Sequence, residues 1–473
     1  MKVTVIGGGS YGWAFGFARQ FIRSQYIEDV HLVLMDINQE AVELVSRAVG
    51  ILNRKHDFRI KLEATTELDP ALDGADYVLV SISTGGFEAM QHDLNIPEKY
   101  GIEHAVGDTV GPGGWLRAVR NVPVFDDFGA RMRRLCPEAW MLNVSNPLTV
   151  LTRVPHRNHG IKTIGMCPGL EGTARGLARL ALAMPASSDE RTASDEPEYL
   201  QDRHTSATSD LEIDYVATGI DHGSFFIRLH AGGIDILSRL RELGFCDSDE
   251  QKDFSGLSED CAGIAKHHRA GFALWKELGY LPSIGDRHMV ENLPWFIVGR
   301  DGDLPYGVER TFMPRRIEDA ARARQRLEQY VASEDDSALG VLGHGDDPVV
   351  TVIESLEGHR SLLWGANYPN VGQIPQLPLG AVVETRCRFD GAGVHPFPAP
   401  LPPVPAALIA PQVYRQEAVI DVALTGTFDE LVALVLTDPL CCRLDLRQCR
   451  AMVQEMVEAT RPWIRNPALL DFA

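Results

Sequence analysis

The feature that most limits what this chain can fold into lies in its first forty residues. Val3-Thr4-Val5-Ile6 is a short β-branched run, and Gly7-Gly8-Gly9-Ser10-Tyr11-Gly12 follows it directly. A short, uninterrupted apolar run is what a parallel strand covered on both faces requires. Residues 13–24 then read as a helix, His31 to Asp36 as a second strand ending in an acid, and residues 38–53 as a second helix. Gly7, Gly9 and Gly12 meet the pattern G-x-G-x-x-G between strand and helix, and Asp36 closes the next strand. Each part has a mechanical reason. The first glycine permits the tight turn, the second lets the backbone approach a pyrophosphate, and the helix N-terminus holds that anion with its free amides. Asp36 would accept hydrogen bonds from the adenosine ribose, and its charge disfavours a 2′-phosphate. The pattern therefore points to NAD rather than NADP.

The same alternation continues. Asp76 to Ser83, Trp140 to Val144 and Thr163 to Met166 read as further strands, with Leu211 to Gly219 a longer one. Strands alternating with helical stretches predict an α/β fold. We expect an N-terminal Rossmann doubly wound parallel sheet over residues 1–165 and a C-terminal α+β domain over residues 166–473. Residues 185–210 are polar, acidic and poor in aliphatics, which predicts a mobile surface loop. Residues 228–280 and 316–334 read as mainly helical, and 427–462 as a helical tail. The proline-rich segment 396–405 reads as extended.

Charge narrows the partners. Lys plus Arg number 45 against 65 Asp plus Glu, a formal net charge of −20. Such a surface repels phosphate backbones, so neither nucleic acid nor an anionic membrane is the expected partner. The eight cysteines are scattered without a CxxC pair, as in reduced cytosolic proteins. No apolar run reaches the ~18 residues of a membrane span, and the N-terminus lacks the pattern of a secretory signal. The cytoplasm is the expected location.

More specific motifs follow in order. His104 to Gly114 contains Gly-Asp-Thr-Val-Gly-Pro-Gly-Gly, and Arg117, Arg120 and Val122-Pro123 come after it. Then come Ser145-Asn146-Pro147, Gly165-Met166-Cys167, Gly219-Ile220-Asp221-His222, Gly285-Asp286-Arg287-His288, and Asn367-Tyr368-Pro369-Asn370 running on to Glu384. Taken together, this set resembles glycoside hydrolase family 4, the NAD- and manganese-dependent glycosidases built like lactate and malate dehydrogenases. The resemblance runs from residue 3 to about residue 460. The Gly-Trp-Ala after the glycine turn and the Gly-Asp-Arg-His segment are similar to the α-galacturonidase-like branch.

The resemblance implies an unusual glycosidase, outside the common mechanism of two carboxylates flanking an oxocarbenium-like centre. In the family, NAD oxidises the sugar at C3, a base removes the acidified C2 proton, and the C1 substituent is eliminated before water adds and C3 is reduced again. Cys167 and His222 match the family's ligands for Mn²⁺ or another divalent cation, and Asn146 matches a residue that binds the sugar hydroxyls. Asp286 is the candidate base, His288 its rival, and Asp108 matches an acid that assists the base. Arg117 either contacts an anionic group of the substrate or pairs with an acidic neighbour. The resemblance further implies a small-molecule carbohydrate substrate and a homo-oligomer.

Two positions depart from the family pattern. The residue after the metal-binding cysteine is commonly His, Asp or Asn and can serve as general acid, but here it is Pro168, which has no proton to give. Asp221 stands where the family often has Asn. Either another group such as Glu171 or His288 protonates the leaving group, or the leaving group needs no proton, or activity is lost. An alternative expectation is an NAD-dependent sugar or hydroxy-acid dehydrogenase that cleaves no glycosidic bond.

Overall fold

The computed structural model describes residues 1–56, 59–184, 211–246, 257–299, 302–339 and 348–472. The acidic segment 185–210 therefore lies outside the described residues. The strands are β1 (Lys2–Ile6), β2 (Asp29–Met35), β3 (Arg59–Thr65), β4 (Tyr77–Val80), β5 (Trp140–Asn143), β6 (Lys162–Gly165), β7 (Ile213–Ile220), β8 (Gly223–Ala231), β9 (Ile234–Asp235), β10 (Leu281–Pro282), β11 (Leu362–Pro369), β12 (Val382–Asp390) and β13 (Gly393–Pro396). All belong to one sheet. Its first part runs β3-β2-β1-β4-β5-β6, every neighbour parallel, which is the doubly wound order expected of a dinucleotide-binding sheet.

The apolar runs seen in the sequence have a direct cause. Successive side chains of a strand point to opposite faces, and here both faces are covered. Val78 and Val80 pack with Ile6 and Val33 in one core, while Tyr77 and Leu79 pack with Val3, Val5 and Leu34 in another. Beyond β6 the sheet continues with antiparallel pairs through β11, β12, β7, β8 and β10. Pairing changes direction after β6, and the later strands extend the same sheet.

Several expectations need correction. Residues 228–231 are not helical but belong to β8, which pairs with β7 as a hairpin. Helices occupy Ile236–Glu242, Glu259–Lys266 and Arg269–Leu278 of that stretch. The proline-rich segment is extended only as far as Pro402. Pro403 then starts a helix that runs to Thr425, because a proline in the first turn lacks only an amide that would be unpaired anyway. The helical tail is two helices, Phe428–Leu436 and Leu446–Thr460.

Candidate active site

The glycine turn is shaped as its pattern demands. Gly7 adopts φ +92°, and the amides of Gly7 and Gly8 both donate to the Met35 carbonyl, at 3.0 and 2.8 Å. The Gly9 amide donates to Asp36 Oδ2 (2.9 Å), and Asp36 Oδ1 accepts from the Asn38 amide (2.9 Å). A Cβ on Gly9 would stand 2.9 Å from Asp36 Oδ2 and 2.8 Å from Ala41 Cβ. The turn is therefore locked to the end of β2, which sets the acid beside the glycines. The helix Trp13–Arg23 begins just after Gly12 with no acidic residue in its first turn, so its positive end is left for an anion. These residues fit a dinucleotide.

The segment 104–114 is held from two sides. Glu291 Oε1 accepts from His104 Nδ1 (3.0 Å) and from the amides of Val106 and Gly107 (2.8 Å each). The helix Gly111–Leu135 follows, and its buried Arg120 makes a two-pronged ion pair with buried Asp93 (2.9 and 2.5 Å). A Cβ on Gly114 would meet the Thr109 carbonyl carbon at 2.4 Å, so only glycine allows this approach. The result is that Asp108 and Thr109 are presented together, both buried.

Thr109 is the link between two of the expected site residues. Its hydroxyl donates to Asp108 Oδ1 (2.9 Å) and therefore accepts from His222 Nδ1 (2.9 Å). With the ring proton committed to Nδ1, the lone pair of His222 is on Nε2. That atom lies 3.7 Å from Cys167 Sγ and 3.7 Å from Asp221 Oδ2. Asp221 and His222 form the two-residue turn of the β7–β8 hairpin, with His222 at φ +60°. Cys167 follows β6, and its sulfur accepts from the Gly169 amide (3.4 Å) at the start of the helix Gly169–Leu182. One ligand atom each from Cys167, Asp221 and His222 lies within 4.8 Å of the others. The mixture of thiolate, imidazole and carboxylate suits a divalent cation, so the residues present fit a metal ion.

The remaining expected residues divide. Asn146 Nδ2 donates to Asp108 Oδ2 (3.1 Å), and Arg117 Nε donates to the Asn146 carbonyl (2.9 Å). Burial opposes the charge on Asp108, but His288, Arg117 and His222 hold its carboxyl well below the usual range. His288 lies against His222, ring centroids 3.9 Å apart, and falls within the same tight group as Asp108 and His222. Burial, and then the neighbouring His222, push His288 down to about 3, so its ring is neutral at neutral pH. Asp286 is not part of this group. Its two oxygens accept from the amides of Ala270 and Gly271 (2.8 Å each), capping the helix Arg269–Leu278. Burial raises it to about 7 against those amide bonds. Geometry therefore favours His288 over Asp286 as the group facing the site.

Pro168 caps the helix after Cys167 and donates nothing. Glu171 is buried and takes a hydrogen bond from the Tyr215 hydroxyl (2.5 Å). A second buried acid, Glu384, accepts from Ser224 (2.7 Å) and Asn367 (3.2 Å). Burial and the nearby Asp221 raise Glu384 to about 8. Burial and then Asp108 raise Asp221 to about 7, against the opposing effects of Cys167 and Asn367. His288 also lines a cavity of about 540 Å³, together with Lys266, Arg269 and Arg287 and the acids Asp286 and Glu309. Sequence reasoning gave no role to Thr109, although it sits inside the quoted motif, and had no signal that it would meet His222.

Comparison with known proteins identifies the family and the relatives of the chain. The family model described as "Family 4 glycosyl hydrolase" matches residues 2–183, and that of the C-terminal domain of the same family matches residues 217–441. An α-galacturonidase of Thermoanaerobacterium saccharolyticum is 30% identical over 480 residues, covering 98% of this chain and 96% of the relative. One from Bacillus subtilis is 30% identical over 460 residues, covering 97% of both. Among solved structures, a Bacillus subtilis protein described as a glucosidase superposes with a TM-score of 0.81 at 29% identity, over 96% of this chain and 99% of the other. A 6-phospho-β-glucosidase of Thermotoga maritima, solved with manganese, NAD⁺ and glucose-6-phosphate, shares the fold at a TM-score of 0.73 and 19% identity, over 98% and 99% of the two chains. With both parts of the family matched in order along the chain, and relatives aligned over almost its whole length, this protein belongs to glycosyl hydrolase family 4.

Proposed function

We propose that the protein is an NAD- and divalent-metal-dependent glycosidase acting on a uronoside. The observation that carries this reading is His222, whose proton is committed to Thr109 so that its free nitrogen faces Cys167 at 3.7 Å. Its Nδ1 proton is held by an orienting chain, Thr109 and then Asp108, that ends on a carboxylate. Metal-binding histidines commonly have one.

When bound, the nicotinamide would supply transient oxidation of the sugar and the divalent ion would supply Lewis acidity. The protein's own residues do the rest. Cys167 and His222, at the ends of β6 and β7, would hold the ion. Asn146, oriented by Asp108 and Arg117, offers its amide to a sugar hydroxyl. His288, neutral and accepting, takes the C2 proton, and the charge of Asp108 stabilises the imidazolium that results. Arg117 keeps Asp108 ionised. The relatives named α-galacturonidase and the basic residues lining the cavity beside His288 support an anionic sugar. Because Pro168 donates no proton, substrates with good leaving groups are favoured.

The test is a panel of p-nitrophenyl α- and β-glycosides and uronosides with NAD⁺, Mn²⁺ and a thiol reductant, following nitrophenolate and NADH together. Nitrophenolate release that needs both cofactors, with no net NADH, is the expected result. Net NADH without nitrophenolate would instead support a dehydrogenase on this scaffold, the reading that the missing acid at Pro168 favours.

A further inference from the structure

We propose that Asp221 is a third protein ligand of the metal ion, so that this chain holds its cation through Cys167, His222 and Asp221 together. The inference rests on the metal-dependent reading above. Asp221 is fully buried, and among the described residues no partner meets hydrogen-bonding geometry with either of its carboxylate oxygens, although Cys167, Asn367 and His222 lie beside it. Buried polar groups in folded proteins are nearly always paired, and an orphaned carboxylate is among the costliest exceptions. The neighbouring acid does not explain it, because Glu384 takes its hydrogen bonds from Ser224 and Asn367.

The geometry supplies the missing partner. Asp221 Oδ2 and Cys167 Sγ stand at the same 3.7 Å from His222 Nε2. Ligand atoms that each lie about 2.0–2.5 Å from one ion are separated from one another by roughly 3–4 Å. Asp221 and His222 are also the two residues of one hairpin turn, so a single backbone turn aims both. The chemistry agrees. Thiolate is a soft ligand for Mn²⁺, and a carboxylate oxygen adds the hard donor that such an ion prefers.

The experiment is equilibrium binding of Mn²⁺ to the full chain, without NAD⁺ or sugar, read by the electron paramagnetic resonance signal of the free ion. Asp221→Asn keeps the side-chain shape and removes the anionic donor. The dissociation constant is expected to rise at least about tenfold, while NAD⁺ binding and the melting temperature of the metal-free protein do not fall. Asp221→Ser, which leaves room for a water, repeats the measurement should the first variant not fold. A dissociation constant within twofold of the wild type in a folded variant overturns the proposal. Cys167→Ser and His222→Asn separate this from the wider reading. If they weaken Mn²⁺ binding and Asp221→Asn does not, only the third ligand is wrong. If none of the three changes it, the metal site itself is misplaced.

Discussion

Replacing Thr109 by Val tests the chain of hydrogen bonds on which the proposed metal site depends. The valine has nearly the same shape, so packing is retained while one hydroxyl is lost. That hydroxyl gives a bond to Asp108 and receives one from His222, each at 2.9 Å. Asp108 keeps its contact with Asn146, so its loss is small. His222 is affected more. Its Nδ1 proton would be buried without an acceptor, and an unsatisfied buried group costs about 1–3 kcal/mol. The ring can avoid this cost by moving the proton to Nε2, but then it has no lone pair for the metal. Binding an ion therefore requires the cost to be met, and about 1–3 kcal/mol is roughly a 5- to 150-fold loss of affinity. We expect Mn²⁺ affinity to fall by that factor in Thr109→Val and to stay within about threefold in Thr109→Ser, which keeps the hydroxyl. NAD⁺ binding, measured by fluorescence titration, serves as the control for the fold. Wild-type Mn²⁺ affinity in Thr109→Val would refute the argument that Thr109 fixes the tautomer.

Three other outcomes are expected. Gly9→Ala places a methyl 2.9 Å from Asp36 Oδ2, so NAD⁺ affinity should fall at least about tenfold with Mn²⁺ binding retained, and unchanged calorimetric titration with NAD⁺ would count against the turn as the nucleotide site. Glu384 is raised by burial from 4.5 to about 8, so its native form keeps a proton that the unfolded chain has lost. Its contribution is complete below about 4.5 and disappears as the pH rises through about 8. Glu384→Gln should therefore flatten the decline in melting temperature of the metal-free protein between those limits, leaving a remainder from Asp221 and Asp286, and parallel curves for variant and wild type would show that Glu384 ionises normally. Lys266→Met removes an exposed cation from the cavity lining. It should raise KM for a p-nitrophenyl uronoside several-fold while sparing a neutral glycoside, and equal effects on both substrates would remove the cavity from anion recognition.

How much of this was legible beforehand depended on the range of the interactions. Local chemistry was read well. The strand β1, the glycine turn, the first helix and the acid at the end of β2 form a contiguous unit whose parts are close in sequence, and the structure joins them by short bonds. The edge strand β3 was legible in principle, since Arg59 to Thr65 alternates polar and apolar residues as a half-buried strand does, but it was not among the expected strands. The strand β8 was hidden inside a stretch read as helical, since its pairing with β7 is a tertiary fact that pattern alone does not reveal. The roles of Asp286 and His288 were open for the same reason. They lie two residues apart, yet one is drawn onto the N-terminus of a neighbouring helix and the other against His222.

By itself, then, the sequence determined the dinucleotide-binding half, the family and the residue types gathered for chemistry, because glycine spacing and side-chain identity act over a few residues and carry their reasons with them. Tertiary structure alone decided which of those residues meet. It put Thr109 between an acid and a histidine 113 residues further along the chain, turned the unprotonated nitrogen of that histidine toward Cys167, and left Asp221 buried with no partner in hydrogen-bonding geometry among the described residues. Those outcomes depend on contacts between distant segments, set by how the sheet and its covering helices pack, and on the cost of burying polar groups that only the packed molecule makes visible.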